Sequence, residues 1–193
     1  MRKLVVTEFV TLDNIMESPH VWSFDYWNRE IGQFKLDEVM ASDALLLGRV
    51  TYEEFAAAWP VRKDEQGFAD RMNSNAKYVV STTLTPDKAT WNNTTVIRED
   101  VVGEVEKLKH MKGQDILVAG SATLIETLML NGLVDEYRLL MYPVVLGKGK
   151  HLFKEGSAAK LKLVEVKKFK SGVVLLRYVP EKKTSSADRA AHE

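Results

Sequence analysis

The sequence predicts an α/β domain whose central sheet is largely parallel and whose C-terminal end is antiparallel. Three observations carry that expectation. Strand-like and helix-like segments trade places repeatedly between Lys3 and Leu130. The strand-like segments are short apolar runs of the kind buried inside a sheet. After Gly132 the helical spacing stops, and strand-like segments follow one another, the last two joined through Ser171-Gly172.

Taken in order, Lys3 to Val10 reads as a buried strand, followed by a polar loop through Thr11, Asp13, Asn14, Glu17, Ser18 and Pro19. Trp22, Phe24, Tyr26 and Trp27 form an aromatic cluster, and from about Tyr26 to Ala41 the residues Ile31, Phe34, Val39 and Met40 keep rough helical spacing. Ala44 to Leu47 is a short strand that Gly48 ends. Thr51-Tyr52-Glu53-Glu54 has the capping-box pattern and opens a helix that Pro60 stops. A helix over Phe68 to Asn75 precedes strands at Lys77 to Ser81 and Thr94 to Ile97. Val101 to His110 is a helix and Ile116 to Ala119 a strand. Thr123 to Leu130 is an apolar-striped helix closed by Asn131-Gly132. Val134 to Val145, a hairpin-type loop at Gly147-Lys148-Gly149-Lys150, and strands near Leu161 to Phe169 and Val173 to Val179 complete a single domain over 1–180. The remaining 181–193 has no apolar periodicity and is expected to be a frayed polar tail.

Composition narrows the function classes. The chain has 193 residues, and Lys+Arg 27 against Asp+Glu 27 leaves no net charge and hence no global field for nucleic acid or anionic lipid. At 45% hydrophobic the chain is expected to fold around a packed core. Cysteine is absent, which excludes disulfides, thiolate metal sites and a Cys nucleophile. His20, His110, His151 and His192 are far apart, so no metal is expected. Thr7, Glu8 and Thr11 interrupt the first apolar run before a signal-peptide core forms, and no apolar stretch approaches the ~20 residues of a membrane helix. A cytoplasmic location is expected.

Three places set a strand end directly before a Gly or hydroxyl residue and a helix start: Leu47-Gly48-Arg49-Val50-Thr51, Val80-Ser81-Thr82-Thr83, and Val118-Ala119-Gly120-Ser121-Ala122-Thr123. Ligands collect outside the carboxyl ends of strands in open α/β sheets, and helix N-termini attract anions. Each end alone reads as an ordinary turn or cap; together they point to a nucleotide cradle. The Walker signature is absent, and Gly147-Lys148-Gly149 lacks the third glycine of a dinucleotide fingerprint.

Several segments carry a resemblance. Phe9-Val10-Thr11-Leu12-Asp13-Asn14, Leu47-Gly48-Arg49-x-Thr51-Tyr52-Glu53, Tyr78-Val79-Val80-Ser81 and Ile116-Leu117-Val118-Ala119-Gly120-Ser121 occur in that order. Leu133-Val134-Asp135-Glu136 then runs through Pro143-Val144-Val145-Leu146-Gly147-x-Gly149-x-x-Leu152-Phe153. This pattern resembles the bacterial reductase family named for the C-terminal domain of the bifunctional riboflavin deaminase-reductase, which shares the dihydrofolate reductase fold.

The resemblance implies a three-layer α/β/α domain that binds NADPH and reduces a small heterocyclic or ribosylamino-pyrimidine-type substrate. The founding activity reduces 5-amino-6-(5-phosphoribosylamino)uracil in riboflavin biosynthesis. By position, Gly48, Arg49 and Thr51 would hold phosphates, Ser81 and Thr82 would face the 2′-phosphate, and Gly120, Ser121, Ala122 and Thr123 would contact the pyrophosphate. Val10, Asp13 and Trp22 would line the substrate side, with Asp13 as proton donor or simple turn residue. The hydroxyls at Ser81-Thr82-Thr83 and the charge of Arg49 favour NADPH over NADH. Asn14 stands where the family commonly has Gly, and it tolerates the same left-handed backbone. A homodimer through the C-terminal strands is implied as well. The alternatives are a non-catalytic NADP(H)-binding protein and a dihydrofolate or pteridine reductase.

Overall fold

Strand β1, Leu4–Thr11, is buried along nearly its whole length because side chains pack on both of its faces. In this computed structural model, which describes residues 1–181, it is the centre of the molecule. The expected tail therefore lies, beyond Glu181, outside the described residues. After β1 come a single turn α1, Pro19–Trp22, and helix α2, Arg29–Met40. The Asn28 side chain caps α2 by accepting the Ile31 N–H at 3.0 Å. Strand β2, Ser42–Gly48, runs straight into α3, Arg49–Ala58, and α4, Phe68–Ser74, precedes the adjacent strands β3, Ala76–Val80, and β4, Thr94–Ile97. Helix α5, Val101–His110, is capped by Asp100, which accepts the Gly103 N–H at 3.1 Å. Strand β5, Asp115–Val118, leads to α6, Ala122–Leu130, and the chain ends with β6, Glu136–Tyr142, β7, Leu161–Lys168, and β8, Val174–Pro180.

The eight strands form one sheet in the order β4-β3-β2-β5-β1-β6-β8-β7. All pairs from β4 to β6 are parallel, and β8 is antiparallel to both β6 and β7. The expected mixed sheet is therefore present. Leu4, Val6 and Val10 pack on one face with Val105 and Leu108 of α5 and Leu124, Ile125 and Leu128 of α6. On the other face Val5, Leu45 and Leu47 meet Tyr52 and Met72, and an aromatic cluster gathers around Tyr142. The link from β1 to β2 passes β5 in one direction, and the link from β5 to β6 passes β1 in the other. Adjacent strands β2 and β5 therefore send their chains to opposite faces. Ligand crevices form at such switch points.

Two local expectations change. Helix α3 begins at Arg49 with Gly48 as its N-cap and no side-chain cap, so Thr51 lies inside the first turn and does not cap it. The strand passes into the helix without a loop, which leaves no room for the expected capping box. Gly147–Lys150 is not a hairpin turn, because β8 separates β6 from β7. Instead the segment folds over the loop after β1. The Leu12 N–H donates to the Val144 carbonyl and the Met16 N–H to the Lys150 carbonyl, both at 2.9 Å.

Candidate functional site

The C-terminal ends of β3, β2 and β5 lie side by side on one edge of the sheet, bringing the three strand-end motifs into one row. At the middle of the row the Gly48 N–H donates to the Gly120 carbonyl at 3.0 Å. A Cβ on Gly48 would lie 2.6 Å from Ser121 Oγ and 3.0 Å from Ser121 N. Gly120 has φ +91°, and a Cβ there would lie 2.9 Å from Thr51 Oγ1. The Gly120–Ser121 peptide is cis. Helices α3 and α6 thus start against each other, and neither has a side-chain cap or an acidic residue in its first turn. Their first-turn N–H groups and dipole ends form a cradle suited to an anion such as a pyrophosphate. This donor set and the two bare glycines fit a dinucleotide.

Gly48, Thr51, Gly120 and Ser121 are therefore brought together, with Ala122 buried as the first residue of α6. Arg49 is at the rim, where its Nη1 donates to Glu53 Oε2 at 2.8 Å across an exposed pair. Thr123 points away, and its Oγ1 accepts from Lys154 Nζ at 3.2 Å. That lysine also holds Glu126, whose carboxyl stays below its usual range through hydrogen bonds first from Lys154 and then from Ser157.

The Ser81 hydroxyl is used within its own turn, accepting the Thr83 N–H at 3.1 Å and the Leu84 N–H at 2.9 Å. Thr82 is exposed beside it. Sequence reasoning missed Arg98, which follows β4 and donates to the carbonyls of Thr82 at 3.2 Å and Leu84 at 2.5 Å. A cation directly after a strand that neighbours the Ser81 strand was the available signal. Arg98 is the guanidinium that the geometry puts at Ser81-Thr82, whereas Arg49 belongs to the α3 start.

The loop after β1 closes the next side of the row. Asp13 accepts the Thr11 hydroxyl at 2.6 Å and the Gly147 N–H at 2.7 Å, with Leu146 N 3.1 Å away. Those bonds, the Thr11 hydroxyl first and the Gly147 amide next, hold its carboxyl below the ordinary value. A carboxylate held ionised and facing backbone amides is built as a clamp, which favours the turn role over proton donation. Asn14 has φ +65°, the left-handed backbone expected of it, and its side chain donates to the Phe153 carbonyl at 2.8 Å.

Val10 and Trp22 do not meet. Val10 lines a cavity of about 450 Å³ with Leu12, Asn14, Met141 and Phe153. Trp22 lies within the aromatic cluster on the other face, 5.3 Å from the Tyr142 ring, and its indole N–H donates to the Glu17 carbonyl at 2.9 Å. On that second face Thr7 donates to Glu38 Oε2 at 2.8 Å, Lys35 donates to Thr7 Oγ1 at 2.8 Å and also pairs with Glu38, and Arg138 reaches Glu38 Oε1 at 3.3 Å. Glu38 is buried but well partnered. Its strand-side counterpart Glu8 is different: it is buried, its Oε1 has no hydrogen-bond partner among the described residues, and burial pushes its carboxyl well above the ordinary value.

Comparison with known proteins agrees with this architecture. A family model described as the RibD C-terminal domain matches residues 2–175. The chain belongs to the RibD C-terminal domain family. Two Bacillus subtilis (strain 168) proteins match this family member along almost their whole lengths. YyaP is 34% identical over 181 residues, covering 92% of this chain and 94% of YyaP. YwjB is 32% identical over 177 residues, covering 90% and 96% respectively. Among solved structures, a putative riboflavin biosynthesis protein from Shewanella sp. PV-4 superposes with a TM-score of 0.73 at 19% identity, covering 93% of this chain and 99% of that one. Dihydrofolate reductase from Enterococcus faecalis, complexed with NADP(H), superposes with a TM-score of 0.61 at 13% identity, covering 93% and 97%. The RibD C-terminal fold of this chain is thus the dihydrofolate reductase-like α/β fold. Among the described residues no helix is long and apolar enough to cross a membrane.

Proposed function

We propose that this chain is an NADPH-dependent reductase that delivers hydride to a small heterocyclic or ribosylamino-pyrimidine-type substrate, similar to 5-amino-6-(5-phosphoribosylamino)uracil. The observation that carries the reading is the junction of Gly48 with Gly120-Ser121, where two uncapped helix starts abut so closely that a Cβ on Gly48 would collide with Ser121 and one on Gly120 with Thr51 Oγ1. The nicotinamide, when bound, supplies the hydride chemistry. The protein supplies binding and orientation. First-turn amides of α3 and α6 hold the pyrophosphate, Arg49 adds charge at the rim, and Arg98 with Thr82 reads the 2′-phosphate. Trp27, 45% exposed and 6.3 Å from the Phe9 ring, offers a flat wall to a ring substrate. Asp13 ties the loop after β1 to Leu146 and Gly147, which fixes that flank of the site.

Self-association belongs to the same reading. Edge strand β7 leaves Leu163, Val164 and Val166 exposed, a surface suited to pairing two copies. Sedimentation that gives a monomer at all concentrations removes this element.

The deciding experiment compares thermal stabilisation by NADPH and NADH, then follows NADPH oxidation with the ribosylamino-pyrimidine or a dihydropteridine as substrate. Substrate-dependent oxidation supports the reductase. Stabilisation without turnover on either substrate favours a non-catalytic NADP(H)-binding protein. No stabilisation by either nucleotide overturns the cradle itself.

A further inference from the structure

Glu8 is a carboxyl group without a structural task. In β1 the register Leu4↔Ile116 and Val6↔Val118 with β5, carried two residues on, sets Glu8 level with Gly120, just past the end of β5. Its neighbours Val6 and Val10 face the α5 and α6 side, whereas Thr7 faces α2, so Glu8 lies on the α6 side of the sheet. Glu8 is 7% exposed, and its Oε1 is buried without a hydrogen-bond partner among the described residues. Buried polar atoms are normally satisfied, and leaving one unpaired is costly unless a ligand completes it.

The orphan oxygen points at the cradle. The position a Cβ would take on Gly120 is 3.7 Å from Glu8 Oε1, 2.9 Å from Thr51 Oγ1 and 3.5 Å from Met16 Cε. Any side chain at residue 120 would fill the space between the Glu8 carboxyl and the Thr51 hydroxyl. Met16 is the other group bordering that space, an unbranched side chain that adapts readily. Its backbone is tied to the Lys150 carbonyl, so the methyl group can swing without moving the loop. The charges that act on Glu8 are Lys35, which lowers its pKa, and Glu38, which raises it, both of α2; the dominant influence is burial, which favours the protonated form.

We propose that Glu8 is a ligand-binding residue of this site, whose carboxyl group pairs with the primary carboxamide of the nicotinamide ring. A carboxylic acid has one O–H donor and one carbonyl acceptor side by side, and a primary carboxamide offers the complementary acceptor and donor. A pair of that kind satisfies Oε1 and fixes the ring about its glycosidic bond, so that one ring face is presented to the substrate. An ionised carboxylate could accept only, and it would lie close to the phosphates held by α3 and α6. The inference rests on the NADPH reading above.

The test measures dissociation constants of NADPH, of its 3-acetylpyridine analogue and of ring-less 2′-phospho-ADP-ribose for wild type, Glu8→Gln and Glu8→Ala. Difference infrared spectra follow the protonated carboxyl band. Glu8→Ala is expected to weaken NADPH about tenfold and leave 2′-phospho-ADP-ribose unchanged. Glu8→Gln, which keeps a donor and an acceptor, is expected within about threefold of wild type. Wild type is expected to favour NADPH over the acetylpyridine analogue, and Glu8→Ala to lose that preference. The carboxyl band is expected to shift on NADPH addition and to be missing in Glu8→Gln, which keeps the test decisive if Glu8→Ala fails to fold. Unchanged NADPH affinity in Glu8→Ala, equal weakening of the ring-less ligand, or an unshifted carboxyl band overturns the Glu8 pairing alone. Failure of wild type to bind any of the three ligands overturns the NADPH reading together with it.

Discussion

Gly48 and Ser121 approach so closely that a methyl group on Gly48 would lie 2.6 Å from Ser121 Oγ. The contact joins the end of β2 to the start of α6 and makes one anion cradle from two helices. Gly48 has φ −75° and ψ 160°, which any residue adopts, so its requirement for glycine is steric rather than conformational.

Gly48→Ala is therefore expected to destabilise the fold by about 1–3 kcal/mol through overpacking. Its larger effect falls on the cradle: NADPH no longer raises the melting temperature. Thermal melts with and without NADPH check both parts, and a variant that keeps the full NADPH shift would separate Gly48 from the nucleotide.

Asp13→Asn removes an ionised acceptor from Thr11 and Gly147. The folded carboxyl titrates below its ordinary value of 3.8, so its stabilisation is complete above that value and fades as pH falls through the lower folded one. Melts of wild type and variant should differ at pH 7 and converge in strong acid. Hydrogen exchange at Leu146 and Gly147 should quicken. A clamp predicts that NADPH affinity and turnover fall together; a loss of turnover alone would assign Asp13 to proton transfer.

Arg98→Ala should cost about tenfold in NADPH affinity and leave NADH affinity unchanged, as expected for a charge-assisted contact to a phosphate. Arg49→Ala, at the α3 start beside the pyrophosphate that both nucleotides share, should weaken NADPH and NADH alike, and by a smaller factor because Glu53 already engages its guanidinium. Calorimetric titration of both nucleotides gives the ratios. If Arg98→Ala leaves the ratio unchanged, the 2′-phosphate is read elsewhere.

Lys77 is fully buried over the Trp91 ring, 4.3 Å from its centroid, and burial lowers its pKa to about 8. The unfolded chain keeps this proton until about 10.4, so it binds more protons than the folded chain between those values. Stability contributed by this site should therefore rise with pH from about 8 to 10, by an amount on the order of 1–3 kcal/mol. Lys77→Met should lack that rise when denaturant melts are compared at pH 7.5 and 10.

Much of this architecture was legible because its signals are local. Thr94–Ile97 and Val101–His110 have the bounds that β-branching and helical spacing predict. Asn14 was readable as a left-handed turn residue for a similar reason, since its side chain tolerates that backbone and ties the turn to Phe153. Thr51 misled, because a capping-box pattern does not reveal that the preceding strand continues into the helix. Gly147–Lys150 misled because the composition of a turn cannot show that β8 inserts between the strands it joins.

By itself the sequence determined the alternation of elements, the antiparallel end, the absence of thiol chemistry and the row of glycine and hydroxyl residues at three strand ends. These follow from periodicity and residue type over a few neighbouring positions. Tertiary structure alone decided that Gly48 meets Ser121, that Arg98 rather than Arg49 accompanies Ser81, that Val10 and Trp22 face opposite sides of the sheet, and that Glu8 Oε1 has no hydrogen-bond partner among the described residues. Those relations depend on strand order and on which face each residue takes. Long-range packing sets both, and along the chain Glu8 looks like any charged residue interrupting an apolar run.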